Sequence, residues 1–377
     1  MNEDKSSRYH RLGRRAGVLS GAASVALLAV LLATGASATL RDWCITVGAG
    51  ITGHDAFRPS LVVGLYVLVL AAGAEIVGAP FSFYRGFLLE RRYGLSTENA
   101  LHWLREHAKA VLVGLAFAEI AATLVYCTLR RWPDSWWLIS GIGYCFVTIW
   151  IVNLAPVLLL PLFFRFKPLE KPPLRERLTA LAQKAGTPVV GVYEWMLSDR
   201  TKKANAALAG LGRTRRILVS DTLLAEYSDE EIEVILAHEL AHHVHRDVWW
   251  GIVYDTTLTC TGFFGAHLAL RVAVPLLGLQ GPADPAGMPV LLIVAGTMGL
   301  MFKPLMNALS RANERRADEF ALHLTNNPSA FISAMRRIGQ QNLAEDHPSR
   351  LVQAFFYTHP PIRERLRVAQ ERLATAR

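Results

Sequence analysis

Apolar residues along this chain gather in long, nearly unbroken blocks, where a soluble core would recur at short helical or strand spacing. Six blocks, at residues 16–34, 61–77, 110–129, 136–160, 248–270 and 289–302, approach the ~20 residues a helix needs to cross a bilayer. The last reaches that length only if it continues toward Leu309. The first follows Arg14 and Arg15 and ends in Gly35-Ala36-Ser37-Ala38, close to a signal-peptide cleavage pattern, but its length predicts an anchor that is retained.

Between the fourth and fifth blocks the pattern changes. Residues 165–247 are polar enough to form a small folded unit that completes its core against the membrane helices. Spacing predicts a helix over 174–184 and strands over 189–195 and 217–220. Residues 205–210, Asn-Ala-Ala-Leu-Ala-Gly, read equally as a connecting loop or as a small-residue edge strand that can hold an extended peptide by strand addition. Ser228 with Glu231 three residues on forms a capping box, starting a helix ahead of Ile232, Ile235, Leu236 and Leu240. Residues 310–322 regain helical character. The chain thus divides into a membrane region at 1–164 with four spans, a catalytic segment at 165–247, two further spans at 248–309 and a C-terminal segment at 310–377. The polar residues up to about Leu12 and the charged C-terminal end are expected to be disordered.

Charge assigns sides to these blocks. Of the 40 Lys and Arg, 35 fall before the first span, between spans two and three, between four and five, or after the last. By the positive-inside rule both termini and the 165–247 segment face the cytoplasm. The net charge of +9 follows from that topology and from anionic headgroups, and no nucleic-acid-binding motif accompanies it, so no nucleic-acid partner is expected. Cys44, Cys127, Cys145 and Cys260 have no C-x-x-C spacing and predict no structural disulfide.

The chemistry sits at His238-Glu239-Leu240-Ala241-His242. Two histidines four apart share one helical face and can bind one Zn²⁺, while the adjacent glutamate can serve a water at the metal. The plain alternative is a histidine-rich solvated face, since His243 and His245 lie nearby. A catalytic zinc takes three protein ligands and a water. A third histidine six residues beyond His242 is missing, because position 248 is Val. Glu314 and Asp318 are spaced i, i+4, so one can ligate zinc while the other hydrogen-bonds a ligand histidine. Taken alone these two, like Glu319, read as surface charges.

With those residues in hand, the chain resembles the integral-membrane CAAX prenyl protease 1 family of zinc metalloendopeptidases. Pro80-Phe81-Ser82-Phe83-Tyr84 with Glu90-Arg91-Arg92-Tyr93-Gly94-Leu95-Ser96, then Ala155-Pro156 and Pro168-Leu169, carry the N-terminal part of the match. The 205–224 stretch, His238-Glu239-x-x-His242 with Asp247, Glu314-x-x-x-Asp318 and His359-Pro360-Pro361 with Glu364-Arg365 follow in family order. The resemblance implies a mainly α, polytopic membrane fold of about six transmembrane helices, with a gluzincin-like cytoplasmic catalytic unit carrying a small β-sheet. It implies His238, His242 and Glu314 as ligands of one Zn²⁺, Glu239 as general base and Asp318 behind the ligands. Asn205 and Ala206 would bind the substrate backbone, and His359 and Arg365 would stabilise the transition state.

The expected activity is that of a membrane-embedded zinc endopeptidase cutting peptide bonds at the cytoplasmic face of a bacterial inner membrane. Its partners would be the lipid bilayer and a peptide or membrane-protein substrate, lipidated or not. A quality-control protease of the heat-shock type is the neighbouring alternative. A receptor or transporter with a metal-sensing histidine cluster would place ionisable residues inside the spans, which offer few, with Glu75 and Glu119 near ends and Asp255 inside one. Six spans stand where eukaryotic members have seven, so their large enclosed chamber is not carried over.

Overall fold

A computed structural model describes residues 4–51, 58–210 and 212–375. Leu211 of the 205–224 stretch and the extreme ends of both termini, residues 1–3 and 376–377, lie outside them. The apolar blocks become α1 (Lys5–Ala33), α2 (Ala36–Ile51), α3 (Arg58–Phe83), α4 (Glu90–Arg92), α5 (Ala100–Arg131), α6 (Trp136–Leu154) and α7 (Leu160–Phe163). π-helical turns at Tyr84–Leu89 and Ala155–Leu159 join α3 to α4 and α6 to α7. The catalytic segment folds as α8 (Pro172–Lys184), α9 (Asp221–Glu226) and α10 (Asp229–Val244) with strands β1 (Phe166–Pro168), β2 (Gly191–Trp195), β3 (Ala206–Ala209) and β4 (Arg216–Ser220). Two long helices follow, α11 (Asp247–Leu276) and α12 (Met288–Thr325), then α13 (Pro328–Gln341), α14 (Arg350–Phe356) and α15 (Ile362–Thr375).

Six helical stretches are long and apolar enough to cross a membrane: Lys5–Ala33, Pro59–Arg92, Ala100–Arg131, Trp136–Leu154, Asp247–Leu276 and Pro285–Thr325. Their outer faces carry large exposed apolar side chains, among them Leu112, Ile120, Phe146, Trp150, Val272 and Leu276. A belt of that extent is stable only in lipid. Two of the three intramembrane carboxylates find partners within the bundle: Glu75 Oε1 lies 2.7 Å from His107 Nε2, and Asp255 Oδ2 accepts from the Tyr144 hydroxyl at 2.8 Å.

The two ends of the bundle differ. At one end, Asp284 before α12 pairs with Arg41 of α2 at 2.7 Å, and Ser37 donates to the Ala286 carbonyl at 2.6 Å. Tyr66, Tyr126 and Trp136 form the buried core there. At the other end the catalytic unit docks on the bundle: Lys203 meets Glu90 at 2.9 Å and Arg200 meets Glu106 at 2.6 Å. Both chain termini lie on this second side, because His10 hydrogen-bonds the Leu343 carbonyl at 2.8 Å and Arg14 pairs with Glu345 at 2.5 Å.

Three expectations change. The polar N-terminal residues are helical from Lys5, tied down by the Arg14 and His10 contacts and by Tyr9 on Glu90. The C-terminal residues form α15, which buries Ala369 against the catalytic core. Residues 36–51, read as a connection, form α2. Arg41 and Asp42 interrupt its hydropathy, yet Arg41 is satisfied by a carboxylate 243 residues away, a pairing that local sequence cannot display. The bundle also carries a partly open cavity of about 1520 Å³, walled by α1, the π turn after α3, α5, α12 and α14.

In the catalytic unit the strands order β1-β2-β4-β3, with β2 parallel to β4 and the other two pairs antiparallel. Residues 205–210 thus supply an edge strand, β3. Ile217 and Val219 of β4, Leu174 and Leu178 of α8, Leu236 and Leu240 of α10 and Phe331 of α13 fill one core. This core fixes α10 against the sheet on one side and α12 on the other.

Candidate metal centre and active site

Helix α10 begins where the sequence says it should. Ser228 Oγ accepts from the Glu231 amide at 3.3 Å, and Glu231 Oε2 accepts from the Ser228 amide at 2.9 Å. Ile232, Leu236, Ala237, Leu240 and Ala241 are buried, which turns His238 and His242 toward α12. On α12, Glu314, Ala317, Asp318 and Ala321 are all buried and fall on one face by their i, i+3, i+4, i+7 spacing. Alanines at 237, 241, 317 and 321, none of them exposed, let the two helices approach closely. The carboxylates of one therefore reach the imidazoles of the other.

His238 Nε2 lies 3.2 Å from Glu314 Oε2, and His242 Nε2 lies 3.4 Å from Glu314 Oε1. One ligand atom from each of the three residues falls within 4.8 Å of the others, so His238, His242 and Glu314 can share one metal ion. Glu314 Oε2 is buried without an aligned hydrogen bond, although His359 Nδ1 is 2.7 Å away. An under-satisfied carboxylate oxygen facing two imidazoles fits a divalent cation.

The far nitrogens of both imidazoles are held as well. Asp318 Oδ1 lies 2.9 Å from His238 Nδ1, and Asp247 Oδ2 lies 2.9 Å from His242 Nδ1. Each carboxylate fixes the tautomer that points Nε2 at Glu314. Arg365, buried, donates to Asp318 through Nε at 2.8 Å and Nη2 at 2.5 Å, with Nη2 also 3.3 Å from His238 Nδ1. Arg316 donates to Asp247 at 2.9 Å and to Asn313 at 2.7 Å. Asp247 reaches back to His242 because Arg246 adopts a left-handed conformation, φ 59°, and turns α10 sharply into α11.

Electrostatics follow from this crowding of carboxylates. Burial pushes the His238 imidazole down, but its bonds to Asp318 and Glu314 outweigh that and hold it at about 9. His242 is raised for the same reason, against burial, by Glu314 and Asp247. Burial raises the Glu239 carboxyl, with His238 and His242 opposing. The site favours positive charge between its carboxylates, whether carried by protons or by a metal ion.

The positions singled out by sequence differ in how closely they gather. His238, Glu239, His242, Glu314, Asp318, His359 and Arg365 converge in one cluster. Asn205 and Ala206 lie on the edge of the sheet, where the Asn205 amide donates to Ser220 Oγ at 3.0 Å. Their strand is tied to the motif helix by His243 Nε2, 3.1 Å from the Leu208 carbonyl. Sequence assigns Asp247 no role and does not single out Arg316. Asp247 alone leaves a local trace, five residues after His242.

Comparison with known proteins gives this geometry a context. Residues 168–373 match the family model described as Peptidase family M48, and residues 2–165 match the model for the CAAX prenyl protease N-terminal region, five membrane helices. The uncharacterised metalloprotease YhfN of Bacillus subtilis is 28% identical over 92% of this chain and 80% of its own length. The CAAX prenyl protease 1 of Saccharomyces cerevisiae is 26% identical over 79% of this chain and 70% of its own, and the rice homologue is 27% identical over 81% and 74%. The crystal structure of S. mikatae Ste24p superimposes with a TM-score of 0.85 at 21% identity, covering 97% of this chain and 88% of that one.

Proposed function

From the premise that this chain belongs to peptidase family M48 and is a membrane-embedded metallopeptidase, we propose that it is a zinc endopeptidase acting at the cytoplasmic face of a bacterial inner membrane. The observation that carries this reading is the grouping of ligand atoms from His238, His242 and Glu314 within 4.8 Å, with Glu239 beside them. Two imidazoles and one carboxylate form a donor set suited to Zn²⁺ that leaves a coordination position free. When bound there, zinc supplies Lewis acidity that activates water and polarises a peptide carbonyl.

The chain's own residues supply the remainder. Glu239 takes the proton of the attacking water and passes it to the leaving amine, a task its burial-raised basicity suits. His359, whose side chain is 60% exposed while Nδ1 touches Glu314, has a free edge to meet the developing oxyanion. Arg365 is committed to Asp318 through two nitrogens, so we assign it to positioning His238 through that carboxylate. An extended peptide pairs with the open edge of β3 at Asn205 and Ala206, which presents its carbonyl to the site. Named relatives are CAAX prenyl proteases, which favours substrates with lipidated C-termini over the heat-shock type of quality control.

The test is Glu239→Gln in the purified full-length protein. One zinc per chain by elemental mass spectrometry, with peptide cleavage reduced at least about 100-fold, is expected. Cleavage at the wild-type rate by the variant overturns the assignment.

A further inference from the structure

The cavity of about 1520 Å³ in the bundle lies outside the metal centre and exceeds the ~300–1,000 Å³ typical of small-molecule sites. Its walls are of two kinds. Toward the catalytic side they carry Arg14, Arg85 and Lys303; farther into the bundle they carry Val18, Val25, Leu28, Leu292 and Leu300. At 1.5 Å per residue, Arg14 lies about 28 Å along α1 from Ala33, and Lys303 lies about 22 Å along α12 from Met288. Arg14 therefore sits near the catalytic-side boundary of a ~30 Å hydrocarbon layer, and Lys303 lies about 8 Å inside it, from where its long side chain can reach toward the boundary. A side chain added at Gly17 of α1 would meet Arg85 Nη1 at 3.3 Å, which places Arg85 close to the Arg14 level.

Arg14 is neutralised by Glu345. Among the described residues, Arg85 has no carboxylate within ion-pair distance, and Lys303 stacks only on the Phe356 ring at 5.6 Å. Glu90 also lines this end but is paired with Lys203, which leaves two cations without an ion-paired carboxylate beside an apolar groove, an arrangement that matches one kind of molecule. Helix surfaces in the groove offer no free backbone groups, so the groove suits hydrocarbon and not extended peptide.

We propose that this cavity binds one anionic phospholipid of the catalytic-side leaflet, its phosphate on Arg85 and Lys303 and an acyl chain along α1 and α12. Gly21 and Gly296 keep the groove open: each lines it, and a Cβ at either meets nothing within 4 Å.

Native mass spectrometry of the full chain, released from nanodiscs with equal phosphatidylglycerol, phosphatidylethanolamine and phosphatidylcholine, tests the site independently of peptidase activity. Wild type should retain one phosphatidylglycerol. Arg85→Gln with Lys303→Gln should bind it about 30-fold more weakly, while Arg175→Gln with Arg336→Gln, both exposed outside the cavity, should not. Gly21→Leu fills the groove without altering charge and should also expel the lipid, which keeps the test decisive if the double variant misfolds. Equal retention of all three lipids, or unchanged retention in Gly21→Leu, overturns the proposal. So does glycerol phosphate binding as tightly as the lipid, since that identifies a phosphate site without an acyl groove.

Discussion

His238 meets a carboxylate at each nitrogen, Asp318 at Nδ1 and Glu314 near Nε2, and this double contact sets how the metal-free site answers to pH. With the imidazole held at about 9, it is protonated at pH 7 when no metal is bound, yet a ligating imidazole must be neutral. Metal uptake at pH 7 therefore releases a proton. Apparent metal affinity falls as the pH drops below 9, approaching about tenfold per pH unit once the protonated form dominates. Titration calorimetry in buffers of different ionisation enthalpy measures the released proton, and an affinity unchanged between pH 8 and 6 contradicts a protonated His238 in the metal-free site. Asp247→Asn tests the other imidazole: it removes the acceptor that orients His242 and should weaken metal binding about 10–100-fold while the fold survives. The motif residues are legible in sequence because one helical turn brings them together. Asp247 and Arg316 are not, since their role depends on the left-handed Arg246 and on an ion pair spanning 69 residues.

Between elements, the controlling dimension is the separation of α10 and α12. Ala317 has no exposed surface and lies between Glu314 and Asp318 on the face of α12 that meets α10. Ala317→Leu adds three carbons where the helices already touch. It should destabilise the protein by about 1–3 kcal/mol and, by moving Glu314 from the histidines, lower bound metal. Thermal unfolding with metal analysis checks both, and a variant with full metal occupancy shows that helix approach does not limit the site. Sequence periodicity reads α8, α10, β2 and β4 well because each buries a regular face in one core. It left residues 205–210 undecided, since a run of alanines carries little alternation; the antiparallel ladder with β4 makes them a strand. It missed α2, whose Arg41 is buried and satisfied by the distant Asp284 as well as by its neighbour Asp42.

At the scale of the whole molecule, topology and charge converge. The catalytic unit and both chain termini occupy one end of the bundle, and 35 of the 40 Lys and Arg belong to segments at that end. The few basic residues at the other end include Arg41, whose charge is compensated by the buried Asp284 and attracts no headgroup. On the proposed orientation, an anionic inner leaflet would hold the metal centre inward. Six crossings return the chain to its starting side, and α2 leaves that parity intact if it lies along the far surface. A Cβ on Gly48 of α2 would sit 3.3 Å from the Val62 side chain, while Ser37 bonds Tyr66. An advance of 11 residues on α2 thus corresponds to only four on α3, as expected of crossing rather than parallel helices. Alkaline phosphatase should be active when fused after Ile51 or within residues 277–284. It should be inactive at the C-terminus, where a fluorescent protein should instead fold. An active phosphatase at the C-terminus inverts the orientation, and an inactive one after Ile51 means that α2 crosses the membrane as a seventh span.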